Sequence, residues 1–141
     1  MILSFNFEEL RALEAGTEMF LSEHSQPAGS PVAAPSEALA DVERLRPRLA
    51  AAISVHTLAD QRELRKAIAA VAEDLHERME ETLLRYHPAH EEAVALYFDY
   101  AHVFGVLTRL DEMGTEMRAM IEVMTGDPVS DEAARSVTFP D

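Results

Sequence analysis

The chain contains no cysteine and only 5 glycines among its 141 residues. Without cysteine, disulfides, thiolate zinc sites, iron–sulfur clusters and thiol catalysis are all excluded. The sequence also lacks a glycine-rich phosphate loop, a Gly-x-Ser-x-Gly nucleophile elbow and a His-Glu-x-x-His metalloprotease string. Because glycines are so few and no strand pattern is present, the sequence argues against an α/β catalytic scaffold, and we favour a protein that is not an enzyme.

Basic residues and long apolar runs are also scarce. The chain has 12 Lys and Arg against 26 Asp and Glu, which gives a formal net charge of −14. This charge disfavours nucleic acid, where Lys and Arg must displace counterions, and it equally disfavours an anionic membrane surface. The longest apolar runs, such as residues 93–98, span only six residues, whereas a membrane helix needs about 20 residues. The amino-terminal segment lacks a signal-peptide pattern, so we expect a cytoplasmic protein.

Helical periodicity is what the sequence does contain. Asn6 and Glu9 have the spacing of a capping box and predict a first helix over residues 6–24. Ser36 is a suitable N-cap for a second helix. The apolar stripe of that helix consists of Leu39, Val42, Leu45, Leu49 and Ile53. Pro47 falls inside the stripe, so it either kinks the second helix or splits it into two pieces.

A long third helix, capped by Thr57, is predicted over residues 58–86 because its apolar side chains recur with the spacing of a coiled-coil seam. The seam consists of Leu64, Ile68, Val71, Leu75, Met79, Thr82 and Tyr86. His87 at the cap and Pro88 at the first helical position then begin a fourth helix, predicted over residues 89–125. Because the turn is so short, the two long helices must fold back as an antiparallel hairpin.

The remaining signals complete a single domain over residues 1–141. Gly126, followed by Pro128, predicts the end of the fourth helix. A flexible Pro/Ser linker is expected over residues 25–36, between the first and second helices, and a frayed tail over residues 136–141. We find no internal repeat and no convincing strand. The predicted fold is all-α: a helical bundle built on a long antiparallel αα-hairpin with two shorter N-terminal helices.

The middle of the fourth helix is apolar on every side. Its apolar side chains point in all directions and include Val94, Leu96, Phe98, Val103, Phe104 and Val106. A helix that is apolar all round is buried all round, either at the centre of a bundle or in a dimer interface. The N-terminal helices are too short to cover it, so we expect a homodimer built on the hairpin.

Four methionines recur farther along this helix with a four-three-four spacing: Met113, Met117, Met120 and Met124. One interpretation places them in the core. The other treats them as an adaptable surface for a partner helix, because methionine repacks easily. We therefore name these four as candidate interaction residues for another protein.

Two short strings resemble helical metal motifs. One is Glu73-x-x-His76, followed by Glu80, and the other is Asp99-x-x-His102. Acid-x-x-His steps supply ligands in di-iron carboxylate bundles, because residues three apart share a helix face. In a tight hairpin His76 is expected level with Asp99. The candidate metal ligands are His76, Glu80, Asp99 and His102, for iron or another divalent transition metal.

Helical directions favour a simpler interpretation of these residues. Glu73 lies roughly opposite the apolar seam, and His76 lies on its flank, so the ligands are not expected to converge within one subunit. Asp99 lies near an apolar face, and a buried carboxylate must be paired, hydrogen-bonded, protonated or metal-bound. The simpler interpretation is a buried polar pair of Asp99 with His102, Tyr97 or an arginine.

The string His-Glu-Arg-Met-Glu-Glu that begins at His76 resembles the middle of a hemerythrin-type helical hairpin, and the likeness covers residues 76–90. In that family a His-x-x-x-Glu step and later histidines bind a non-haem iron pair, so the resemblance implies His76 and Glu80 as iron ligands. No histidine stands four residues after His90, however, and none follows His102. The family's full ligand set is therefore absent.

The sequence leads to three functional hypotheses. The first is a non-catalytic helical protein–protein interaction module without a cofactor: a small acidic adaptor, regulator or assembly subunit that acts as a homodimer. The second is a metal-binding bundle of di-iron type. The third is an acidic decoy or inhibitor that covers a basic macromolecular surface. We favour the first, because the sequence contains helix-packing surfaces and no catalytic constellation.

Overall fold

Helices dominate the architecture, and the predicted all-α bundle with its long hairpin is confirmed. The computed structural model describes residues 1–24, 37–87 and 90–141. The predicted linker lies outside these ranges, and so do Ser36, the predicted N-cap of the second helix, and Pro88. In chain order the elements are β1 (Ile2–Ser4), α1 (Phe7–His24), α2 (Glu37–Leu45), a 3₁₀ turn (Arg46–Arg48), β2 (Ala52–Ser54), α3 (Leu58–Arg85), α4 (Glu91–Thr125) and α5 (Asp131–Ser136).

The hairpin of α3 and α4 encloses most of the core. Buried side chains of the two helices form one cluster that includes Leu64, Ile68, Val71 and Leu75 of α3 with Leu96, Val103, Val106 and Leu110 of α4. The helices are also joined by a buried polar contact, in which Nε2 of Gln61 donates to the carbonyl oxygen of Leu110 at 2.7 Å. Gly114 lies against this same Gln61 side chain. The missing side chain at Gly114 therefore makes the space that Gln61 occupies.

The amino-terminal caps form as the sequence predicts. The Oδ1 atom of Asn6 accepts from the Glu9 N–H at 2.8 Å, and the Asn6 N–H donates to Oε1 of Glu9 at 3.0 Å. At the start of α3, the Thr57 hydroxyl accepts from the Asp60 N–H at 3.0 Å. Each of these bonds satisfies a backbone group that lacks a partner inside the helix.

The sequence predicts the end of α4 correctly and its start incorrectly. Gly126 ends the helix in the left-handed conformation, with φ of +73°, as expected for a C-cap glycine. The predicted start is corrected: α4 begins at Glu91, and His90 rather than His87 is the N-cap. The Nδ1 atom of His90 accepts from the Glu92 N–H at 3.2 Å. A histidine can therefore replace the usual hydroxyl or carboxylate as the capping acceptor here.

Pro47 ends α2 and does not bend it. The helix stops at Leu45, a single 3₁₀ turn contains Pro47, and Leu49 is already extended. Proline has no amide donor, and its ring collides with the preceding turn, so the α-helical ladder cannot continue through it. The predicted continuation of the stripe to Ile53 is wrong, because Ile53 lies in β2.

A two-stranded antiparallel sheet of β1 and β2 corrects the expectation that the chain has no strand. Leu3 pairs with Ile53, and both side chains are buried. Their neighbours Ile2 and Ser54 are paired and exposed, which is the alternation of a half-buried sheet. Each strand has three residues, fewer than the runs of four to eight that a sequence pattern needs.

The carboxyl-terminal residues pack beside this sheet, so the prediction of a frayed tail over residues 136–141 is corrected. Phe139 is buried, and its N–H donates to the carbonyl oxygen of His56 at 2.8 Å. The Ser54 hydroxyl lies 3.0 Å from Oδ2 of Asp141. Burial of a phenylalanine is favourable by about 1.5–3 kcal/mol, which opposes the entropy gained by fraying.

Candidate functional site

One side of α4 is apolar and exposed. We define this outer face by seven residues of α4: Val94, Tyr97, Phe98, Ala101, Phe104, Gly105 and Thr108. At about 100° per residue they form one stripe centred on Ala101, roughly opposite the buried Leu96, Val103 and Leu110. Tyr97, Phe98 and Phe104 are 55%, 56% and 51% exposed. The outer face is therefore a second apolar stripe on a helix that already buries one.

The outer face is left uncovered by the rest of the single chain. Helices α1 and α3 pack against the other side of α4 and bury Leu96, Val103 and Val106. The central position that the sequence allowed is therefore excluded for the single chain. The homodimer that it also allowed stays a prediction.

The aromatic side chains of the outer face are held by neighbouring rings. The rings of Tyr97 and Phe98 meet edge-on with centroids 5.9 Å apart, and those of Tyr100 and Phe104 also lie 5.9 Å apart. A Cβ atom at Gly105 would meet nothing within 4 Å. The outer face thus combines projecting aromatic rings with a notch at Gly105. Another helix can pack its ridges of side chains into such a surface.

Asp99 points away from the outer face, toward α1. Its Oδ1 atom lies 3.6 Å from Nη2 of Arg11, and the whole residue is only 9% exposed. Burial raises the pKa of Asp99, and nearby Glu8 raises it further, while Arg11 and His102 act in the opposite direction. The arrangement agrees with the sequence interpretation in which an arginine partners this carboxylate.

A second buried carboxylate, Glu9, joins α1 to α4. Two nitrogens of the Arg109 guanidinium contact the Glu9 carboxylate, at 2.5 and 3.1 Å, and Arg109 also donates to the Ser4 carbonyl at 2.9 Å. Burial would raise the pKa of Glu9, but the bonds from Arg109 and from the Asn6 N–H hold that pKa below its ordinary value. Arg109 is not recognisable from the sequence as the partner of Glu9, because no local spacing connects the two residues.

The four predicted metal ligands divide into separate contacts. Nδ1 of His76 lies 3.6 Å from Oε1 of Glu80, and the His76 ring lies 5.2 Å from that of Tyr100. His76 is thus next to the level predicted for Asp99, but the Asp99 carboxylate contacts Arg11. In the part of the chain that the structure describes, these four do not form a group of three ligand atoms within 4.8 Å.

The ligand-type group that does come together among the described residues is Glu23, His24 and Asp74. Arg78 already serves this group: its Nε donates to Oδ2 of Asp74 at 2.9 Å, and its guanidinium also pairs with Glu23. The guanidinium supplies the positive charge that a bound cation would bring. This group is therefore an ion-pair network between α1 and α3, and it carries no metal proposal.

The four methionines of α4 become more exposed toward the end of the helix. Met117 is fully buried and Met113 packs partly against the core, whereas Met120 and Met124 are exposed. The core interpretation therefore fits the first pair and the surface interpretation fits the second pair. Val123, also strongly exposed, extends this smaller apolar patch at the end of the helix.

Comparison of the chain with protein families, curated proteins and solved structures finds no match. The hemerythrin resemblance thus rests on residues 76–90 alone. Across the described ranges, none of the helices has the length and apolar character needed to cross a membrane.

Proposed function

We propose that this protein is a non-catalytic helical interaction module, a small acidic adaptor, regulator or assembly subunit, and that the outer face of α4 contacts its protein partner. The observation that carries the proposal is the half-exposed group of Tyr97, Phe98 and Phe104 on a stripe without a charged side chain. Large apolar patches on a protein surface mark interaction sites. Tyrosine is also among the residue types enriched at the energetic hot spots of such contacts.

The surrounding charge supports this assignment. The nearest charged side chains of α4, Asp99 and Arg109, are engaged by Arg11 and Glu9 of α1 and do not enter the outer face. A net charge of −14 keeps the rest of the surface hydrated. The outer face is then an apolar surface on an otherwise strongly acidic protein, which favours a partner that recognises it by shape and apolar burial.

Covalent footprinting of aromatic side chains tests the proposal. Labelling of Tyr97, Phe98 and Phe104 is compared between dilute purified protein and protein in extract of its own cells. Phe7 of α1 is 77% exposed and serves as an internal control. We expect labelling of the three outer-face rings to fall several-fold in the extract, while labelling of Phe7 stays unchanged. The proposal is overturned if the three rings are labelled as strongly in the extract as in dilute, monomeric protein.

The alternative proposals have tests of their own. A di-iron protein, purified without chelator or affinity metal, should contain about one or two ions per chain, and Asp99→Ala should abolish them. Absence of metal together with no uptake of Fe(II) would contradict that alternative. An acidic decoy should bind its basic target more weakly as salt rises, because exposed charges are screened. Binding through the outer face of α4 should not weaken in this way.

A further inference from the structure

We infer that a second copy of this chain covers the outer face of α4, packed antiparallel about a twofold axis that passes by Ala101. This inference rests on the proposed function and names its partner. It requires the outer face to be complementary to itself, and the order of large and small side chains along α4 meets that requirement.

Complementarity follows from the positions on either side of Ala101. In an antiparallel pair centred there, Tyr97 lies level with Gly105 of the second copy, and Phe98 lies level with Phe104 of the second copy. The Tyr97 ring thus lies beside the open space at Gly105, where a Cβ atom would meet nothing within 4 Å. The phenylalanine rings meet each other, and the small Ala101 side chains let the two backbones approach at the axis.

Orientation is decided by the same residues and by the helix ends. In a parallel pair each residue lies level with the same residue of the second copy. The two Tyr97 rings would then meet each other, and the two Gly105 residues would leave an unfilled space between the helices. The acidic first turns, with Glu91 and Glu92, would also lie side by side. The antiparallel pair separates these first turns, and it sets exposed Glu91 level with Asp111 of the second copy, a carboxylate that Arg65 of its own chain already pairs. The fit of large against small side chains therefore favours the antiparallel arrangement.

The area is sufficient for a dimer. Each half-exposed aromatic ring offers about 100 Å², since a fully covered ring buries 150–250 Å². With the smaller residues of the outer face, each copy contributes roughly 500 Å², and the pair buries about 1,000 Å², the lower limit for a specific interface. The net charge of −14 per chain opposes association, so self-association should strengthen as salt rises.

Analytical ultracentrifugation of the full chain tests the inference, with two matched variants. Ala101 and Ala119 are both exposed on α4 and lie in the same direction around the helix, but only Ala101 belongs to the outer face. Ala101→Glu would bury two opposed carboxylates at the axis and should weaken self-association at least about a hundredfold. Ala119→Glu should leave it unchanged. Circular dichroism checks that both variants keep the helical content of the wild type.

The register is tested by single cysteines, which are unique because the chain has no native cysteine. Two copies of Ala101→Cys meet at the axis, within the 4.4–6.8 Å Cα separation typical of disulfides, and should cross-link on mild oxidation. Gly105→Cys faces Tyr97 of the second copy and should not cross-link to itself. Efficient cross-linking of Gly105→Cys would overturn the antiparallel register.

The remaining outcomes separate this inference from the proposed function. A wild-type protein that stays monomeric, with its outer-face rings still protected in extract, overturns the second copy and leaves the interaction module standing. A monomer whose rings are also unprotected in extract overturns both. A dimer that Ala101→Glu does not weaken uses another surface and contradicts the inference.

Discussion

Replacement of Gly114 by alanine should destabilise the hairpin, although alanine is the better helix former. A Cβ atom at this position would lie 2.6 Å from Nε2, 2.8 Å from Cδ and 2.9 Å from Oε1 of Gln61. The entire amide group must therefore move. Gln61 is buried, and its Nε2 donates to the Leu110 carbonyl at 2.7 Å, so the movement breaks this bond inside the core.

The opposing contributions have different sizes. A buried amide without a partner costs about 1–3 kcal/mol, and the added methyl group in a packed core costs about 1–3 kcal/mol. The better helix propensity of alanine returns about 1 kcal/mol. The net expectation is a loss of about 3 kcal/mol in the free energy of unfolding, or a fall of roughly 9 °C in Tm for a chain of this size.

Gly105→Ala is the matched control in the same helix. Nothing lies within 4 Å of its added Cβ, so alanine should stabilise the protein by up to about 1 kcal/mol. Both substitutions are made in the Ala101→Glu background, so that self-association does not contribute. Urea unfolding followed by circular dichroism at 222 nm supplies the free energies.

Equal changes in the free energy of unfolding for Gly114→Ala and Gly105→Ala would contradict the expected collision with Gln61. A double-mutant cycle sharpens the test, because in a Gln61→Ala background the new methyl group has room. There the penalty of Gly114→Ala should disappear, which corresponds to a coupling energy of about 1–3 kcal/mol between the two positions.

Two further predictions concern buried groups. The pKa of Glu9 is lowered in the folded state, so its stabilisation is complete above the unfolded pKa and is lost as the pH falls through the folded pKa, below about 4.5. The pKa of Asp99 is raised, so its contribution has the opposite sign. In unfolding measurements from pH 3 to pH 7, Glu9→Gln should therefore make the acid loss of stability shallower and Asp99→Asn should make it steeper; the reverse order would contradict both assignments. Phe139→Ala should lower the free energy of unfolding by about 3–5 kcal/mol, and a change below about 0.5 kcal/mol in urea unfolding would mean that the tail does not pack.

The helices and most of their ends are local properties of the sequence. The capping box of Asn6 and Glu9, the Thr57 cap and the Gly126 stop each depend on bonds within one turn. Such bonds are settled by neighbouring residues, so spacing alone predicts them. The hairpin follows as well, because two long helices joined by a short turn have few ways to pack. The start of α4 is misplaced because Pro88 suits the first position of a helix, whereas the helix begins at Glu91 with His90 as its cap.

The sheet depended on partners far apart in the chain. β1 pairs with β2 across about fifty residues, and neither three-residue strand is recognisable without the other. Pro47 ends α2 by a local effect, but the extended segment that follows forms a strand only because β1 lies beside it. Sequence periodicity detects neither partner, since it reports only which face of an element is apolar.

The outer face of α4 and its neighbouring ion pairs also depend partly on the local sequence and partly on distant partners. The sequence by itself determined that α4 is apolar on every side, that the chain is strongly acidic, and that Asp99 needs a partner. Only the tertiary structure decided which side of α4 is covered by α1 and α3 and that Arg11 is the partner of Asp99. The contact between Arg109 and Glu9 likewise joins residues that are 100 positions apart in the chain. Hydrophobicity and charge belong to each residue, whereas burial and pairing depend on which distant segment packs against it, and that choice is made by the whole fold.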